Sequence, residues 1–355
     1  MTIYILILLV NWIFIFIASR YRKVDRIGFI VLLTGMCILC SCRGLMCGTD
    51  TINYYRIYYF NTLLQDERLE PLFLLVRMIM PSFQLFLAFF SIITYGIIGW
   101  IISKNVKYKC LGVLIFMISA TKFFPESFNI VRQSVATSFI LWSFVRFNNK
   151  KYWSSVILLV IASLFHYSSG IALLFFSVKK YNPGFKFVIV VLISTFFIGL
   201  FNISATALQQ IIIKLGEFTS NPLLLAYSRY GYKSNLLMAF TSRLVWLLPL
   251  TLLALTTYPS SLIAKKKYGF YYSIFFIATV IGNLIIPALD SGLRLVFSIN
   301  IIQLLVVPMA YQYYSTVQKS ILLGVLIFSS ALYVFYLYSL TTSPITSIVP
   351  YTMFS

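Results

Sequence analysis

The fold is decided by residues 152–180, which read YWSSVILLVIASLFHYSSGIALLFFSVKK. This apolar run is long enough to cross a bilayer as one helix, because about 20 apolar residues span the hydrocarbon core. A single crossing would, however, place the lysines that follow it on the opposite side from the other basic loops. The polar string at 166–170 interrupts the run. We therefore expect a broken segment, or a hairpin that turns near His166 and returns to the side it entered from.

The composition places the whole chain in a membrane. Of 355 residues, 60% are hydrophobic and 10% charged, and the mean hydropathy of +0.92 excludes a water-soluble globule. We predict an all-α polytopic bundle, one transmembrane domain over residues 1–355, with about 11–12 membrane segments. Apolar runs near the required length lie at roughly 2–18, 27–42, 82–102, 110–124, 128–147, 152–178, 187–202, 234–257, 269–287, 293–313 and 320–340.

The net charge of +20 is a topology signal and does not point to nucleic acid, because most lysines and arginines lie in short loops between apolar runs. With the first residue outside, the basic loops at 20–26, 104–109, 146–151, 179–186 and 265–267 all lie on the cytoplasmic side. Basic residues follow the first apolar run, so no cleavable signal peptide is expected. Two large loops, 43–81 and 203–233, then face outward, the first with an interfacial helix over 72–80.

The first outer loop reads RGLMCGTDTINYY over residues 43–55. Gly48 permits a tight turn, and Asp50 can cap the helix that follows. A carboxylate beside tyrosines also suits a sugar, since it offers acceptors for hydroxyls and aromatic faces for ring C–H groups. The residues with this potential are Arg43, Thr49, Asp50 and Tyr54.

A second motif, NIVRQSVA over residues 129–136, opens a helix at the same face. The planar guanidinium of Arg132 matches phosphate oxygens, although an arginine at a helix end can also simply extend to the membrane surface. Gln133 and the small residues behind it favour a packed polar cavity over lipid exposure.

His166 is the only histidine and falls at the expected break. Histidine suits proton transfer near neutral pH, although a structural role in bonding the broken backbone is an equal alternative. We predict no metal, since ligand clusters are absent from the sequence. We interpret Asp66, Glu67 and Glu70 as a solvated acidic face. Cys37 and Cys40 are expected to be small core residues, whereas pairing of Cys42 with Cys47 stays open.

Further cations belong to the second outer loop and the helices after it. Arg229 and Tyr230 lie in a stretch that interleaves aromatics with cations, and Arg243 and Arg294 follow near helix starts. An interfacial aromatic belt, or for Arg294 a local pair with Asp290, would explain them too. On the predicted topology these arginines converge with Arg43 and Arg132 on one face, which suits an anionic lipid diphosphate.

Three strings carry a resemblance to a known family. Residues 43–54 with Gly48-Thr49-Asp50-Thr51, residues 131–136 (VRQSVA) and residues 164–168 (LFHYS) resemble, in this order and spacing, successive motifs of the EpsG-like, Wzy-type polysaccharide polymerases. The region from about residue 203 onward matches only loosely, through its outer loop rich in Tyr and Arg and through Arg294.

The resemblance implies a GT-C-like glycosyltransferase of the bacterial inner membrane. Such an enzyme joins undecaprenyl-diphosphate-linked oligosaccharide repeat units on the periplasmic face, with the lipid diphosphate as leaving group and no cofactor. Arg132, with Arg229 or Arg243, would then bind the diphosphate. Asp50 and His166 would compete for the role of base, while Arg43 and Tyr54 would shape the sugar site.

The resemblance implies that the product is O-antigen. It also implies membrane lipid, a chain-length regulator and a flippase as partners. Three other functions stay open on the sequence. A flippase for the same lipid-linked unit would also need arginines in a cavity, but such transporters often show repeat symmetry, which this chain lacks. A membrane acyltransferase would use His166 as a base, and an O-antigen ligase would share both the chemistry and a large outer loop.

Overall fold

The computed structural model describes residues 1–60, 69–119, 122–203, 236–285, 292–341, 348–349 and 351–353, with isolated positions between 207 and 218. For 236–242 and 292–295 only the backbone is described. The described part of the chain is helical and contains no named strand. The predicted all-α class is therefore confirmed.

The described residues form fifteen α-helices and one 3₁₀ helix. In chain order they are α1 (Thr2–Ala18), α2 (Arg22–Ser41), α3 (Thr51–Phe60), α4 (Pro71–Ile79), α5 (Phe83–Asn105), α6 (Lys109–Ile118), α7 (Phe123–Asn129), α8 (Val131–Asn148), α9 (Tyr152–Phe165), a 3₁₀ helix (Tyr167–Lys180), α10 (Phe185–Leu200), α11 (Leu236–Thr256), α12 (Leu262–Ile285), α13 (Gly292–Asn300), α14 (Gln303–Tyr313) and α15 (Thr316–Thr341).

Many of these helices are long and apolar enough to cross a membrane. Among the described residues five pass this test, namely α2, α5, α12, α15 and the stretch Val296–Tyr313 formed by α13 and α14. A sixth span is possible by length if α6 and α7, bent by 57°, count as one. Shorter apolar helices are α1, α9, α10 and Arg243–Thr256. The chain is a multi-pass membrane protein, with several of its predicted spans shortened or broken.

The segment after Tyr152 forms a hairpin, as one of the two expected alternatives required. Helix α9 ends at Phe165, His166 adopts an extended backbone, and the 3₁₀ helix runs back from Tyr167. Near its end, Lys179 Nζ donates to the hydroxyl of Tyr152 over 3.1 Å. The end of the hairpin thus returns to the residue at which it began, and His166 lies at its tip.

Contacts between distant segments sort the connections into two ends of the bundle. The basic end joins the connections predicted to be cytoplasmic, through Asp25 with Lys109, Tyr108 with Tyr311, Asn148 with Tyr271, and Tyr258 with Pro183. The opposite end joins segments predicted to face outward, through Tyr4 with Ile348, Gly44 with Thr352, and Thr49 with Asn129. The structure therefore groups the connections as the lysine pattern predicted.

The break between α6 and α7 is held by a buried lysine. Lys122 has the left-handed φ of 49° and is 3% exposed. Its Nζ lies 3.2 Å from the ring centroid of Trp246 and 3.3 Å from that of Tyr336. Aromatic faces attract a cation at these distances, so one side chain connects the break to α11 and α15.

The start of α6 is capped by an acid from another helix. Asp25 of α2 accepts the backbone N–H groups of Lys109 and Cys110 over 2.9 and 3.0 Å. The first N–H groups of a helix lack intrahelical partners, and a carboxylate there also complements the helix dipole. Asp25 thus joins the basic ends of α2 and α6.

We expect Asp25→Ala to lower the free energy of unfolding by about 2 kcal/mol, since it removes two hydrogen bonds to a charged acceptor. Asp25→Asn, which keeps one acceptor oxygen, should lose less. Thermal unfolding of the purified protein in detergent measures both, with the exposed neighbour variant Lys23→Ala as the control. Equal midpoints for all three variants would contradict the capping role.

Candidate functional site

Three charged or ionisable side chains from distant parts of the chain meet at the end opposite the basic loops. Glu70 Oε2 lies 2.5 Å from Arg132 Nη1, and Glu70 Oε1 lies 3.0 Å from His166 Nδ1. The carboxylate therefore uses one oxygen for each partner. We call Glu70, Arg132 and His166 the central triad.

Glu70 is placed by the start of α4. It occupies the position before Pro71, the first residue of the helix, and its carbonyl accepts the N–H of Leu74 over 3.1 Å. A proline at this position favours helix initiation because its missing N–H is not needed there. The positive end of the α4 dipole also favours the carboxylate of Glu70.

His166 is placed by the residue before it. The ring of Phe165 packs against Phe90 and Phe139, with centroid distances of 6.1 and 6.0 Å. The backbone N–H of His166 still bonds to Ala162 and closes the last turn of α9. The side chain of His166 therefore leaves the hairpin tip in a fixed direction, toward Glu70.

Arg132 is placed by the first turn of α8 and by aromatic neighbours. Its guanidinium carbon lies 5.2 Å from the ring centroid of Phe73 on α4, and the side chain of Tyr54 on α3 also interacts with the guanidinium. The rings of Tyr54 and Phe73 contact each other at 6.0 Å. Helices α3 and α4 of the first outer loop thus form a wall for Arg132.

The environment of Glu70 keeps its carboxyl ionised. Burial by itself would raise the pKa, but the hydrogen bond with His166 and the positive charge of Arg132 outweigh it, so the pKa of Glu70 lies below its usual range. A carboxylate only accepts hydrogen bonds. The proton between Glu70 and His166 is therefore on Nδ1, and in the Nδ1-protonated tautomer of the ring the lone pair lies on Nε2.

The members of the triad differ in accessibility. The side chain of Glu70 is 4% exposed, whereas those of Arg132 and His166 are 19% and 25% exposed. A substrate can reach the two partners but not the acid between them. This arrangement can accept a proton at His166 Nε2. It can also bind an anion at Arg132, because a guanidinium has five N–H donors and Glu70 and Tyr54 use only part of them.

The predicted first-loop turn packs against the α7–α8 junction. Gly48 has a φ of +97°, and a Cβ there would lie 2.9 Å from the carbonyl oxygen of Phe128. The N–H of Thr49 donates to Asn129 Oδ1 over 2.8 Å. Asp50 is half-buried directly before α3, and its carbonyl accepts the N–H of Tyr54, as that of a helix-capping residue does. The expected turn at Gly48 is confirmed.

Arg43 has a different environment from the one we expected. It is fully buried, and its guanidinium donates to the Cys40 carbonyl over 2.5 Å and to Thr51 Oγ1 over 3.2 Å. Direct contact of Arg43 with a sugar is not supported by this geometry. The side chain instead ties the end of α2 to the start of α3.

The remaining predicted site residues are distributed as follows. Gln133 is buried and donates to Ser298 over 3.0 Å, which joins α8 to α13. Arg243 is half-buried and donates to the Leu200 carbonyl over 3.1 Å. Arg229, Tyr230, Asp290 and the side chain of Arg294 lie outside the described residues. The cysteines are free, with Cys42 exposed and Cys47 buried.

Glu70 is the functional residue that the sequence interpretation missed. The solvated acidic face predicted for it is wrong, because the side chain is buried and doubly paired; Asp66 and Glu67 lie outside the described residues. The available signal was an acid directly before a proline and an apolar helix. That signal marks a helix start, but it does not identify partners 62 and 96 residues away.

A separate cavity of about 10 Å³ lies between α2, α5, α7 and α8 and does not include the triad. It has room for one water molecule. Its walls are Cys40, Phe90, Ser91, Thr94, Tyr95, Ser127, Val131 and Ser134. Within the described part of the chain, no three His, Cys, Asp or Glu residues come together as a metal-binding group.

Comparison with protein families identifies a match over most of the chain. The family model described as EpsG family matches residues 26–353 and thus includes all three members of the triad. No curated protein and no solved structure matches the chain.

The lowered pKa of Glu70 predicts a pH-dependent stability. A carboxyl with a depressed pKa in the folded state stabilises the fold above its unfolded pKa, ordinarily 4.5, and this contribution is lost as the pH falls through the folded value. The melting temperature of the wild type should therefore exceed that of Glu70→Gln at pH 7, and the difference should shrink below pH 4.5. Thermal unfolding of both proteins between pH 7 and about pH 3 measures this difference in melting temperature. A difference that stays constant down to pH 3 would contradict the ionised pairing.

Proposed function

The chain belongs to the EpsG family, as its motifs predicted, and from this premise we propose that it is a membrane glycosyltransferase that polymerises lipid-linked oligosaccharide repeat units. The observation that carries the proposal is the central triad. A partly exposed histidine, oriented by a buried carboxylate, lies beside a partly exposed arginine. Glycosyl transfer from a lipid diphosphate needs these two functions, a base for the acceptor hydroxyl and a cation for the leaving group.

His166 is the base in this mechanism, and Glu70 is its positioning residue. Glu70 accepts the hydrogen bond from Nδ1–H and so selects the tautomer in which Nε2 carries the lone pair that takes the proton, as the acid of a Ser-His-Asp triad does for its histidine. Asp50, half-buried before α3, is the second acid of the site, and we assign it to orienting the acceptor sugar.

Arg132 stabilises the leaving group. Glu70 binds Nη1 of the guanidinium and Tyr54 also interacts with it, and the donors that these two residues do not use are available to the oxygens of the diphosphate. The positive charge offsets the negative charge that develops as the bond to the sugar breaks. Arg229, Arg243 and Arg294 are assigned to the same anion, and Thr49, Tyr54, Tyr230 and Gln133 to the shape of the sugar site.

The proposed reaction needs no cofactor, because the two substrates and His166 account for the bond formed, the bond broken and the proton transferred. The acceptor hydroxyl loses its proton to His166 Nε2, and its oxygen bonds to the anomeric carbon of the donor chain. The bond between that carbon and the diphosphate oxygen breaks, and the electron pair leaves with the lipid diphosphate. The growing chain is thereby transferred to the non-reducing end of a new lipid-linked unit.

The proposed function also implies a cellular location, a substrate and partner proteins. The enzyme lies in the bacterial inner membrane with the triad facing the periplasm, opposite the lysine-rich end. The substrate is an undecaprenyl-diphosphate-linked oligosaccharide and the product is O-antigen. A flippase supplies the substrate from the other leaflet, and a chain-length regulator acts on the product.

We expect a deletion strain to carry a surface polysaccharide core with a single repeat unit, and the wild-type gene to restore the ladder on a gel. Arg132→Ala should not restore the ladder, because the leaving group loses its cation. Arg132→Lys should restore it only partly, because an ammonium lacks the planar fork. The readout is the ladder from strains with matched protein levels.

Other patterns on the same gel would contradict the polymerase. Complete loss of repeats at the surface points to a flippase or a ligase. An unchanged ladder of altered mass points to an acyltransferase that modifies the glycan. Full activity of Arg132→Lys would show that polymerisation does not need a bidentate contact between Arg132 and phosphate.

The roles of His166 and Glu70 have a separate test. With purified protein and lipid-linked repeat units, His166→Gln should reduce the polymerisation rate by about 10² to 10⁴, the range for a general base. Glu70→Gln should reduce it as well and should be non-additive with His166→Gln, since the acid acts through the histidine. Glu217→Gln, at an exposed acid, is the control. Independent, additive losses would show that Glu70 does not act through His166.

A further inference from the structure

Residues 348, 349 and 351–353, here called the late segment, lie across the first outer loop. Arg43 and Met353 form an isolated antiparallel bridge, and the N–H of Gly44 donates to the carbonyl of Thr352 over 2.7 Å. These contacts join positions about 300 residues apart in the chain. They use main-chain atoms, so they depend on the path of the late segment more than on its side chains.

Further contacts fix both ends of the late segment. The hydroxyl of Tyr351 donates to the Leu39 carbonyl over 3.0 Å. The carbonyl of Ile348 accepts the hydroxyl of Tyr4 over 2.7 Å and lies 3.9 Å from the Cys47 sulfur. Ile348 and Val349 are 2% and 6% exposed, so the segment is packed against the bundle. Its contacts reach the N-terminal helix, the end of α2 and the first loop.

The first loop is built to accept the late segment closely. A Cβ on Gly44 would lie 2.8 Å from the Met353 carbonyl oxygen and 2.9 Å from Thr352 Oγ1. Real Cβ atoms are essentially never found nearer than 3.0 Å to such atoms. Glycine at position 44 is therefore required by the late segment and not by the loop alone.

A chain of contacts leads from this interface to the central triad. Arg43, paired with Met353, donates to Thr51 at the start of α3 over 3.2 Å, and Thr51 Oγ1 donates to the Cys47 carbonyl over 2.8 Å. Three residues along α3, the side chain of Tyr54 interacts with Arg132. The late segment, the loop and α3 thus form one continuous packed unit beside the proposed diphosphate site.

We propose that the late segment is a positioning element of the site, which holds the first loop and α3 in register with Arg132. The segment makes none of the contacts of the triad itself. It acts through the loop, so its loss displaces Thr49, Asp50 and Tyr54 while the triad residues remain present. This inference rests on the proposed function for its activity readout, but its structural basis has a test of its own.

The structural test uses the native thiol of Cys47, which is fully buried beside Ile348. The measured quantity is the rate at which a membrane-impermeant maleimide labels Cys47 in intact membranes, in a background of Cys42→Ser and Cys37→Ala. Gly44→Ala should accelerate labelling, because its methyl group displaces the late segment. Deletion of residues 348–353 should accelerate it further, and Gly96→Ala, whose Cβ meets nothing within 4 Å, should leave it unchanged.

The activity test asks whether Gly44→Ala acts through the late segment. Displacement of the loop should reduce the polymerisation rate by about tenfold or more, since small misplacements in a site are costly. Both kcat and the apparent KM for the lipid-linked unit should change, because the displaced loop carries Thr49 and Asp50, assigned to the sugar, and also Tyr54, which interacts with Arg132. Gly44→Ala should have no additional effect once residues 348–353 are deleted.

Each outcome decides the proposal. Faster labelling, lower activity and non-additivity support it, provided that Gly44→Ala melts near the wild-type temperature in detergent. Unchanged labelling in both variants overturns the contact, and faster labelling with full activity overturns the positioning role. Additive effects show that Gly44→Ala acts elsewhere. Absence of polymerisation by the wild type would contradict the proposed function alone, since the labelling comparison still decides whether the late segment holds the loop.

Discussion

A carboxylate removed from water must be paired, and the site of this protein is organised by that requirement at Glu70. Its two oxygens bind Arg132 and His166, which belong to different parts of the chain. Leaving one of these charges buried without a partner would cost several kcal/mol. The pairing therefore holds α4, the start of α8 and the tip of the hairpin in one arrangement. The same pairing places the proton on His166 Nδ1 and holds Nη1 of Arg132, so the interaction that holds the three segments together also orients the two partly exposed side chains.

Interrupted helices bring polar groups together inside an apolar bundle. The hairpin turns at His166, α6 and α7 are bent at Lys122, and α7 passes into α8 through Ile130, two residues before Arg132. Interrupted backbone within a membrane is tolerated only where protein or a wet cavity surrounds it. Each interruption here is covered by other segments: Phe165 by two aromatic rings, Lys122 by Trp246 and Tyr336, and the α7–α8 junction by the loop at Gly48.

Prediction from the sequence was accurate where a local property decides the outcome. The apolar runs predicted helices, the serines and glycine after His166 predicted a break, and Gly48 predicted a turn; each is present. It failed where the partner lies far along the chain. Glu70 was interpreted as part of a solvated acidic face with Asp66 and Glu67, because its partners lie 62 and 96 residues away. The bridge between Arg43 and Met353 was not foreseen either. The contacts of Gly44 with Thr352 were equally hidden, since a main-chain pairing across about 300 residues leaves no local pattern.

Hydropathy, charge and motif order were enough to predict the membrane class, the main apolar helices, the grouping of the basic loops at one end and the family. Hydropathy and charge determine, residue by residue, how readily a segment enters a hydrocarbon core of constant thickness. The family motifs can be recognised from their order along the chain. Which ionisable groups meet could be known only from the packing of the helices. Pair energies depend on distances of a few ångströms and on the exclusion of water, and both are set by how α3, α4, α8 and the hairpin pack. The chemistry of Glu70, Arg132 and His166 is therefore a property of their packing.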